Sequence, residues 1–327
     1  MNIQRRRTLA ATGTLLALGS ACRAWAQPSD WPRKAIRIIV PSGPGGSSDI
    51  LLRLMTEPLA RLLGQPIVVD NKPGAGGTLA ATLAAHAEPD GYTLMVNSVA
   101  THGIGPSMYK LRFDPDAGVT GICELAATAN VLYVRKDSPF NTMQSLVAYA
   151  KANPGKLNYA SSGAGTSLHL SAVAFAQAAG IDVTHIPYNG AAPAMQAVLG
   201  GDAAFSFENA TPMMGQIRGG TVLALAVTTA VRAYQLPEVP TVAEAGLPGF
   251  EVASWFGIVA PGGLPRPLVD RLSAAFDEVL KQPAVSEQLR KLGADPHFLP
   301  AAEFDAYMKG ERRKWAAIVR ASGAIVN

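Results

Sequence analysis

The chain has 327 residues, of which 48% are hydrophobic, and it carries 28 Lys and Arg against 24 Asp and Glu. This length and apolar content are enough to bury a sizeable core and suit a protein of two lobes. Residues 1–26 hold four arginines and no acid, so the rest of the chain is formally neutral, with 24 charges of each sign. The positive charge therefore gives no argument for binding nucleic acid or an anionic membrane.

The first 26 residues are predicted to be an export signal. Residues 5–7 form a basic head, and residues 9–21 form an apolar stretch that is too short to span a bilayer. Residues 24–26, Ala-Trp-Ala, resemble a cleavage site. The Arg6-Arg7 pair leaves twin-arginine export open beside the general route. We therefore expect a mature chain that begins at Gln27 in the periplasm.

Cysteine content excludes a disulfide framework. Cys22 falls within the predicted signal, which leaves Cys123 without an intrachain partner. A lone cysteine is more often buried than reactive. We therefore expect a mature chain that depends on its hydrophobic core for stability.

Short apolar runs alternate with helical patterns along most of the chain. The predicted strands are residues 35–40, 66–70, 92–97, 131–135, 157–160, 183–187, 203–207 and 223–228. The predicted helices are residues 50–63, 79–86, 143–152, 168–179 and 192–199. Pro58 lies inside the first helical pattern and is expected to kink that helix or to end it early. The alternation predicts an α/β fold with mostly parallel sheets.

The carboxyl-terminal part is predicted to be mostly helical and to pack back on an earlier domain. Apolar positions mark three helical faces, at residues 268–280, 285–292 and 304–319, and Gly293 ends the second. Lobe boundaries are expected near residues 124–130 and 249–255. Lobe one then comprises residues 27–125 plus 251–327, and lobe two comprises residues 126–250.

The loop Pro41–Asp49 is the strongest candidate for a ligand site. It places the amino terminus of a helix after a buried strand, and the free N–H groups there favour an anion. The hydroxyls of Ser47 and Ser48 add two donors. The alternative is an ordinary helix start, with Ser47 or Ser48 as the N-cap and Asp49 complementing the helix dipole. Both interpretations hold together.

Two further loops repeat the order of strand, small residues and helix. Residues 71–78 form either a second anion site or a plain glycine turn. Residues 161–167 place the same pattern in the second lobe, so two loops from different lobes would hold one acid from both sides. His169 follows this loop, and a histidine at helical spacing is more often structural than a ligand contact.

The remaining two candidate loops each follow a predicted strand. Residues 187–191 carry Tyr188 and Asn189, and Tyr188 either stacks over a ligand or lies at the lobe surface. Residues 97–103 include Asn97 and Thr101 at a strand's carboxyl end, where open α/β sheets bind ligands. A solvated loop is the commoner outcome at such a position.

Several motifs of catalysis and nucleotide binding are absent from the sequence. It contains no GxSxG nucleophile elbow and no GxxxxGK[ST] phosphate loop. The five histidines show no metal-ligand spacing, and there is no cysteine cluster. These absences argue against a hydrolase, a nucleotide-binding protein or a metalloenzyme.

Long segments of the chain resemble one known family. They include IRIIVPSGPGGSSDILLR, GQPIVVDNKPGAGGTLAA, YAKANPGKLNYASSGAGTSLHL, HIPYNGAAPAMQAVLGGD and SWFGIVAPGGLP. These segments are similar to the Bug family, the TctC-like solute-binding proteins of tripartite tricarboxylate transporters. The resemblance covers nearly all of the chain beyond the predicted signal.

The resemblance implies an α/β fold of the type II periplasmic binding class, with two lobes, a central cleft and a hinge. It implies that a ligand carboxylate lies against Gly43–Asp49 and that Ser162–Thr166 closes on it. Ser42 stands where the family often has an aromatic residue, and residues 97–105 also depart from the family pattern. The predicted ligand-binding residues are Gly43, Gly45, Gly46, Ser47, Ser48, Asp49, Asn97, Thr101, Ser162, Gly163, Ala164, Gly165, Thr166, His169, Tyr188, Asn189 and Gly190.

The main functional prediction is a monomeric binding protein that captures a small organic carboxylate for a membrane permease, without a cofactor or metal. One alternative is a periplasmic sensor that docks, with its ligand, on a receptor such as a sensor kinase. A second alternative is an enzyme that uses Ser48 or Ser162 as nucleophile, although neither serine has an evident base beside it in the sequence.

Overall fold

The protein is described by a computed structural model of residues 31–322, with side chains described as far as residue 320. The export signal predicted for residues 1–26 lies outside the described residues. None of the helices in the described range is long and apolar enough to cross a membrane.

Ten strands lie within the described range and form one continuous sheet. They are β1 (Ile36–Val40), β2 (Ile67–Asn71), β3 (Thr93–Ser98), β4 (Val119–Arg135), β5 (Leu157–Ser161), β6 (Val183–Pro187), β7 (Phe205–Asn209), β8 (Val222–Val227), β9 (Ala253–Pro261) and β10 (Ala294–Pro300). The spatial order is β2-β1-β3-β9-β4-β7-β5-β6, and β8 and β10 also pair with β4. Pairs of β1 with β2 and β3, and of β5 with β6 and β7, are parallel.

Ten α-helices of the described range surround this sheet. They are α1 (Ser47–Leu63), α2 (Thr78–Ala85), α3 (Gly105–Met108), α4 (Met143–Ala152), α5 (Ser167–Ala179), α6 (Ala191–Gly200), α7 (Ala210–Arg218), α8 (Arg266–Lys281), α9 (Pro283–Lys291) and α10 (Ala301–Ser322). A short 3-10 turn spans Ala75–Gly77 and a π-helical turn spans Val99–Ile104. The predicted α/β fold is confirmed, but the expectation of mostly parallel pairing was wrong, because five of the nine strand pairs in the described range are antiparallel.

The long strand β4 connects two groups of strands. Its first part, Val119–Ala129, pairs antiparallel with β9, and β10 also pairs with this part. Its last part, Asn130–Arg135, pairs with β7 and β8. The chain returns from the second group of strands to the first at Val252, just before β9 begins. The N–H of Val252 donates to Thr228 O at 2.9 Å. The two lobes therefore meet at β4 and at the entry to β9. The lobe boundaries taken from the sequence stay a prediction.

One apolar cluster runs through both groups of strands. It includes Ile39 and Met95 near the amino terminus and Phe175 and Phe207 farther along, all buried. The carboxyl-terminal helix α10 returns to pack on β4 and on the π-helical turn. Its Trp315 is fully buried in the same cluster. A continuous core of this size stabilises the sheet on which the loops at the strand ends stand.

The helix α1 does not end early at Pro58. It continues to Leu63 and ends at Gly64, which takes a left-handed conformation with φ 74°. Leu59 and Leu63 beyond the proline are both buried. Their packing offsets the hydrogen bond that proline cannot donate. The prediction of an early end was therefore wrong.

Candidate ligand-binding cleft

A cavity of about 1160 Å³ lies where five of the described helices begin. Its lining includes the starts of α1, α2, α5, α6 and α7, at Gly46–Ser48, Gly77, Thr166–Leu168, Gly190–Pro193 and Asn209 with Pro212. Each helix start presents N–H groups without intrahelical partners and the positive end of the helix dipole. The cavity is therefore suited to an anionic group.

The first loop differs from its predicted capping pattern. Gly46, in an extended conformation (φ −73°, ψ 161°), is the N-cap of α1, so Ser47 and Ser48 are the first two helical residues. The expectation that one of these serines is the N-cap was wrong, because glycine holds that position without a side-chain hydrogen bond. Both serines line the cavity and are buried. Among the described atoms, Ser47 Oγ has no hydrogen-bond partner.

Asp49 stabilises this loop through hydrogen bonds and is not among the residues that line the cavity. Its Oδ2 accepts from Gly45 N at 2.9 Å, and its Oδ1 accepts from Arg53 Nε at 2.9 Å and from Asn71 Nδ2 at 3.0 Å. Burial by itself raises the pKa of Asp49, but the hydrogen bonds from Arg53, Gly45 and Asn71 hold it below its usual value. Asp49 therefore stays ionised and fixes the shape of the loop.

The second loop is built on a capped helix start. Thr166 is the N-cap of α5; its Oγ1 accepts from His169 N at 3.2 Å and donates to Gly163 O at 2.8 Å. Ser162, Gly163, Ala164 and Thr166 line the cavity, as predicted residues of this loop. Gly165 and His169 are not in the lining, and Gly165 N donates to His169 Nδ1 at 3.2 Å.

A pair of stacked histidines supports the second loop. The rings of His169 and His185 lie 4.1 Å apart between centroids, and Tyr159 stacks on His185 at 4.9 Å. His185 Nε2 is 2.6 Å from Ser161 Oγ, which also accepts from Gly163 N at 3.2 Å. Burial lowers the pKa of each histidine to about 4. Both rings are therefore neutral at pH 7.

Tyr109, which follows α3, connects the two sides of the cavity. Its hydroxyl donates to Ala164 O at 2.5 Å, and it lines the cavity. Gly165 has φ +78°, and a Cβ there would lie 2.7 Å from the Tyr109 hydroxyl. Glycine at 165 therefore permits this close approach. Tyr109 was not among the predicted site residues, although it falls just beyond the segment 97–105 that departs from the family pattern.

The loop after β3 contributes one predicted residue to the cavity. Thr101 lines it, whereas Asn97 is fully buried behind it. Asn97 Oδ1 accepts from Thr101 Oγ1 at 2.6 Å, and its Nδ2 contacts Met308 Sδ at 2.8 Å. Asn97 therefore orients Thr101 and ties the turn to α10.

Two strand ends complete the lining on the other side. Tyr188, Asn189 and Gly190, three of the predicted ligand-binding residues, line the cavity after β6. Glu208 and Asn209 line it at the end of β7, and the sequence analysis missed both. Glu208 is 2% exposed, its Oε1 accepts from Asn209 N at 2.9 Å, and burial raises its pKa to about 8. The strand-to-helix order of residues 203–212 was the signal that could have found them.

Among the described residues, no Lys, Arg or His lines the cavity. No group of three or more potential metal-ligating side chains occurs in the described range either. An anion in this cavity would therefore be held by backbone N–H groups and hydroxyls. Such donors neutralise charge through dipoles and hydrogen bonds without a fixed cation.

A buried polar network connects the cavity to β4. Ser254 Oγ donates to Asn130 Oδ1 at 2.9 Å and lies 3.0 Å from Ser167 Oγ, and both serines line the cavity. Asn130 Nδ2 donates to Ser171 Oγ at 2.8 Å, while Asn130 N donates to Thr228 Oγ1 at 3.1 Å. The network joins the start of α5 to the strands that connect the two groups.

Two groups of strands, joined by connecting strands and sharing a cavity lined by helix starts, define a two-lobed solute-binding fold. The chain belongs to the family described as the tripartite tricarboxylate transporter family receptor, TctC, whose model matches residues 51–324. It is 32% identical over 324 residues to protein BugT of Bordetella pertussis, covering 97% of this chain and 98% of BugT. The predicted membership of the Bug and TctC family is confirmed.

Solved structures of the family share the fold. R. palustris Rpa4515 with adipate superposes with a TM-score of 0.88 at 32% identity, covering 91% of this chain and all of that one (100%). MatC from Rhodopseudomonas palustris with bound malate gives a TM-score of 0.81 at 35% identity, covering 88% and 99%. The type II periplasmic binding fold and the predicted class of protein, a solute-binding protein of this family, are thus confirmed.

Proposed function

We propose that this protein captures a small organic carboxylate in the cavity described above and releases it unchanged. The observation that carries the proposal is the convergence of helix starts from both groups of strands on one cavity that lacks a lining cation among the described residues. The adipate and malate bound by Rpa4515 and MatC support the same class of ligand.

One ligand carboxylate would lie between the starts of α1 and α5. Backbone N–H groups at Ser47, Ser48 and Ser167 and the hydroxyl of Ser47 are the donors nearest these helix starts, and all three residues line the cavity. Each charge-assisted hydrogen bond contributes about 1.5–3 kcal/mol. A few such bonds, less the cost of ordering, give binding near the micromolar range, about −8 kcal/mol.

The predicted residues divide into two groups under this proposal. Those that line the cavity are the direct contacts: Gly43, Gly45, Gly46, Ser47, Ser48, Thr101, Ser162, Gly163, Ala164, Thr166, Tyr188, Asn189 and Gly190. Asp49, Asn97, Gly165 and His169 position those contacts through the hydrogen bonds described above. The cavity would close on the ligand by rotation of the lobes about β4 and the entry to β9.

The proposal includes export to the periplasm and delivery of the ligand to membrane permease subunits. Family members are periplasmic binding proteins, and the family description names a tripartite transporter. Export through the general or the twin-arginine route and a monomeric state remain part of the proposal. Docking on a sensor kinase stays an alternative prediction.

The proposal assigns no chemical step to the protein. The closest serine–histidine pair described above is Ser161 with His185, and neither residue lines the cavity. Burial lowers the pKa of His185 to about 4, which makes it a weak base at neutral pH. The Ser161 hydroxyl is also engaged by the loop at Gly163. This pair therefore supports the loop and is unsuited to activating a nucleophile.

A ligand screen tests the proposal. The mature protein is heated with dicarboxylates, tricarboxylates, amino acids and aromatic acids, and the compounds that raise its melting temperature are titrated by calorimetry. We expect at least one acid to bind with micromolar affinity and to be recovered intact after prolonged incubation. Absence of binding by every acid, or conversion of the bound acid to a product, would contradict the proposal.

A further inference from the structure

The carboxyl end of β7 carries a polar group that the proposed carboxylate contacts leave unused. Glu208 lines the cavity although it is 2% exposed, and the one hydrogen bond described for its side chain comes from Asn209 N. Asn209 lines the cavity beside it at 8% exposure. Within the described residues, Asn209 Oδ1 has no hydrogen-bond partner. Two consecutive residues of the cavity lining therefore carry buried acceptors without a described donor from another side chain.

Buried acceptors of this kind are costly unless a donor reaches them. An unsatisfied buried polar group destabilises a protein, and an unpaired buried charge destabilises it further. Since no Lys, Arg or His lines the cavity among the described residues, the protein supplies no cation to Glu208 there. A ligand that carries a cationic donor would satisfy both acceptors at once.

We propose that Glu208 and Asn209 form a distal subsite for a protonated amine, and that the ligand is an amino-carboxylate. This inference rests on the proposed function, because the helix starts of α1 and α5 hold the carboxylate of the same molecule. The cationic end contacts Glu208 and Asn209. The resulting zwitterion brings no net charge into a cavity whose lining carries no cation.

Because of the protonation state of Glu208, ligand binding is expected to release a proton. Burial raises its pKa to about 8, so at pH 7 its carboxyl is mostly protonated before the ligand arrives. A bound amine cation favours the ionised form, so the Glu208 O–H bond breaks and its proton passes to the buffer. The titratable and charged side chains on elements that pack against β7 are Cys123, Glu124, Tyr133 and Arg135 of β4, Tyr159 of β5, His169 of α5 and Arg218 of α7. Burial and the Asn209 N–H are the causes that act on the pKa of Glu208.

Calorimetry with matched ligand pairs tests the subsite. The pairs are β-alanine with succinate, γ-aminobutyrate with glutarate, and δ-aminovalerate with adipate, together with aspartate against succinate. Each of the first three pairs shares its methylene chain and differs in one terminal group. We expect the best amino acid to bind at least about tenfold more tightly than its dicarboxylate partner, the size of effect that a buried charge-assisted contact supports. Titration in two buffers of different ionisation enthalpy should show release of close to one proton at pH 7.

The variant Glu208→Gln makes the test specific. Glutamine has the shape and neutrality of the protonated acid, so the variant should fold with an unchanged melting temperature. We expect it to lose both the preference for the amine and the released proton while keeping dicarboxylate binding; Glu208→Asp should keep part of the preference. Glu124→Gln is the matched control, since Glu124 is equally buried (2% exposed) and is not in the cavity lining.

The outcomes separate this inference from the function on which it rests. Tight binding of dicarboxylates with no preference for amines, or a preference that survives Glu208→Gln, overturns the amine subsite and leaves the carboxylate site standing. Equal binding heats in the two buffers also overturn it. Failure of every amino acid to bind while another acid of the ligand screen binds overturns the amine subsite alone, and failure of every acid of the screen overturns the proposed function as well.

Discussion

At the scale of single residues, Ser47 combines burial with an unused hydroxyl. It is 6% exposed, it lines the cavity, and its Oγ has no partner among the described atoms. A buried hydroxyl without a partner destabilises the unliganded protein, so its presence at the first turn of α1 indicates a donor reserved for a ligand. The same argument gives a prediction in which binding and stability change in opposite directions.

The substitution Ser47→Ala is expected to weaken binding of the carboxylate ligand about ten- to hundredfold, the value of one hydrogen bond to a charged group. Because the serine hydroxyl is unpartnered, the same change should leave the free energy of unfolding unchanged or slightly raised. Calorimetric titration and chemical denaturation measure the two effects. Ser273→Ala is the matched control, since Ser273 is helical, 7% exposed and not part of the lining. Equal ligand affinity in Ser47→Ala and the wild-type protein would contradict this role.

The stacked histidines give a prediction about pH. Burial lowers the folded-state pKa of His169 and His185 to about 4 from an ordinary value of 6.5. Unfolding therefore takes up a proton at each ring between these values, because the unfolded chain binds protons that the folded protein does not. Their contribution to the free energy of unfolding is complete above about pH 6.5, declines as the pH falls, and levels off below about pH 4.

Chemical denaturation between pH 4 and pH 7 measures this decline. The variant His185→Gln is expected to lose stability less steeply with falling pH than the wild-type protein, since one of the two rings no longer titrates. His86→Gln, a change in the surface-facing last turn of α2, serves as control and should keep the wild-type slope. A His185→Gln slope equal to that of the wild-type protein would show that the ring does not titrate as described.

At the scale of elements, the contact between the turn after α3 and the loop before α5 holds the two sides of the cavity together. The Tyr109 hydroxyl donates to Ala164 O at 2.5 Å, and Gly165 leaves room for it. A contact that bridges two lobes stabilises their closed arrangement relative to the open one. Its removal is therefore expected to shift the lobes toward opening without disturbing either core.

The substitution Tyr109→Phe removes this hydrogen bond. It is expected to reduce the free energy that favours the closed arrangement over the open one by about 0.5–1.5 kcal/mol. We expect a larger radius of gyration by small-angle X-ray scattering in the unliganded protein. We also expect ligand dissociation to accelerate by up to about tenfold in stopped-flow measurements. Tyr149→Phe, on a half-exposed tyrosine of α4, is the control. An unchanged radius and dissociation rate for Tyr109→Phe would mean that the contact does not govern closure.

The elements also differ in how well the sequence predicts them. The strand β6 begins and ends as predicted, and β1 starts one residue later than predicted, because both are short strands whose partners lie close along the chain. The first part of β4 was missed, since Ala126–Ala129 gives a weak apolar pattern and its partner β9 is distant in the chain. The strand β10 contains Pro296 and Pro300, which argue against a strand. Pairing with β4 overrides that tendency.

The candidate site also contains some residues that can be predicted from the sequence and others that cannot. Glycines, serines and Thr166 mark helix starts locally, so the sequence predicted the loops at α1 and α5 that the structure brings to one cavity. Tyr109 was missed because its contact, Ala164, lies 55 residues away along the chain. The role of Glu208 depends on burial, which is a property of the folded sheet. The spacing of residues along the chain therefore indicates neither the contact of Tyr109 with Ala164 nor the burial of Glu208.

At the scale of the whole molecule, β4 and the entry to β9 connect the two groups of strands. The hydrogen bonds of Asn130 and Thr228 lie at this connection, and Ser254 extends them to the cavity wall. A ligand at the start of α5 would therefore contact the same network that the lobes share. Under the proposed function, we expect occupancy of the cavity to change the relative position of the lobes through this network.

A crystal structure of the mature protein with a bound acid from the ligand screen tests the central claim most directly. We expect one ligand carboxylate within hydrogen-bond distance of backbone N–H groups or hydroxyls at both Ser47–Ser48 and Ser162–Thr166. We also expect no Lys or Arg to contact that carboxylate. A ligand bound elsewhere, or a carboxylate paired with a cationic side chain while one of these two helix starts stays unused, would be evidence against binding of the carboxylate by the two helix starts.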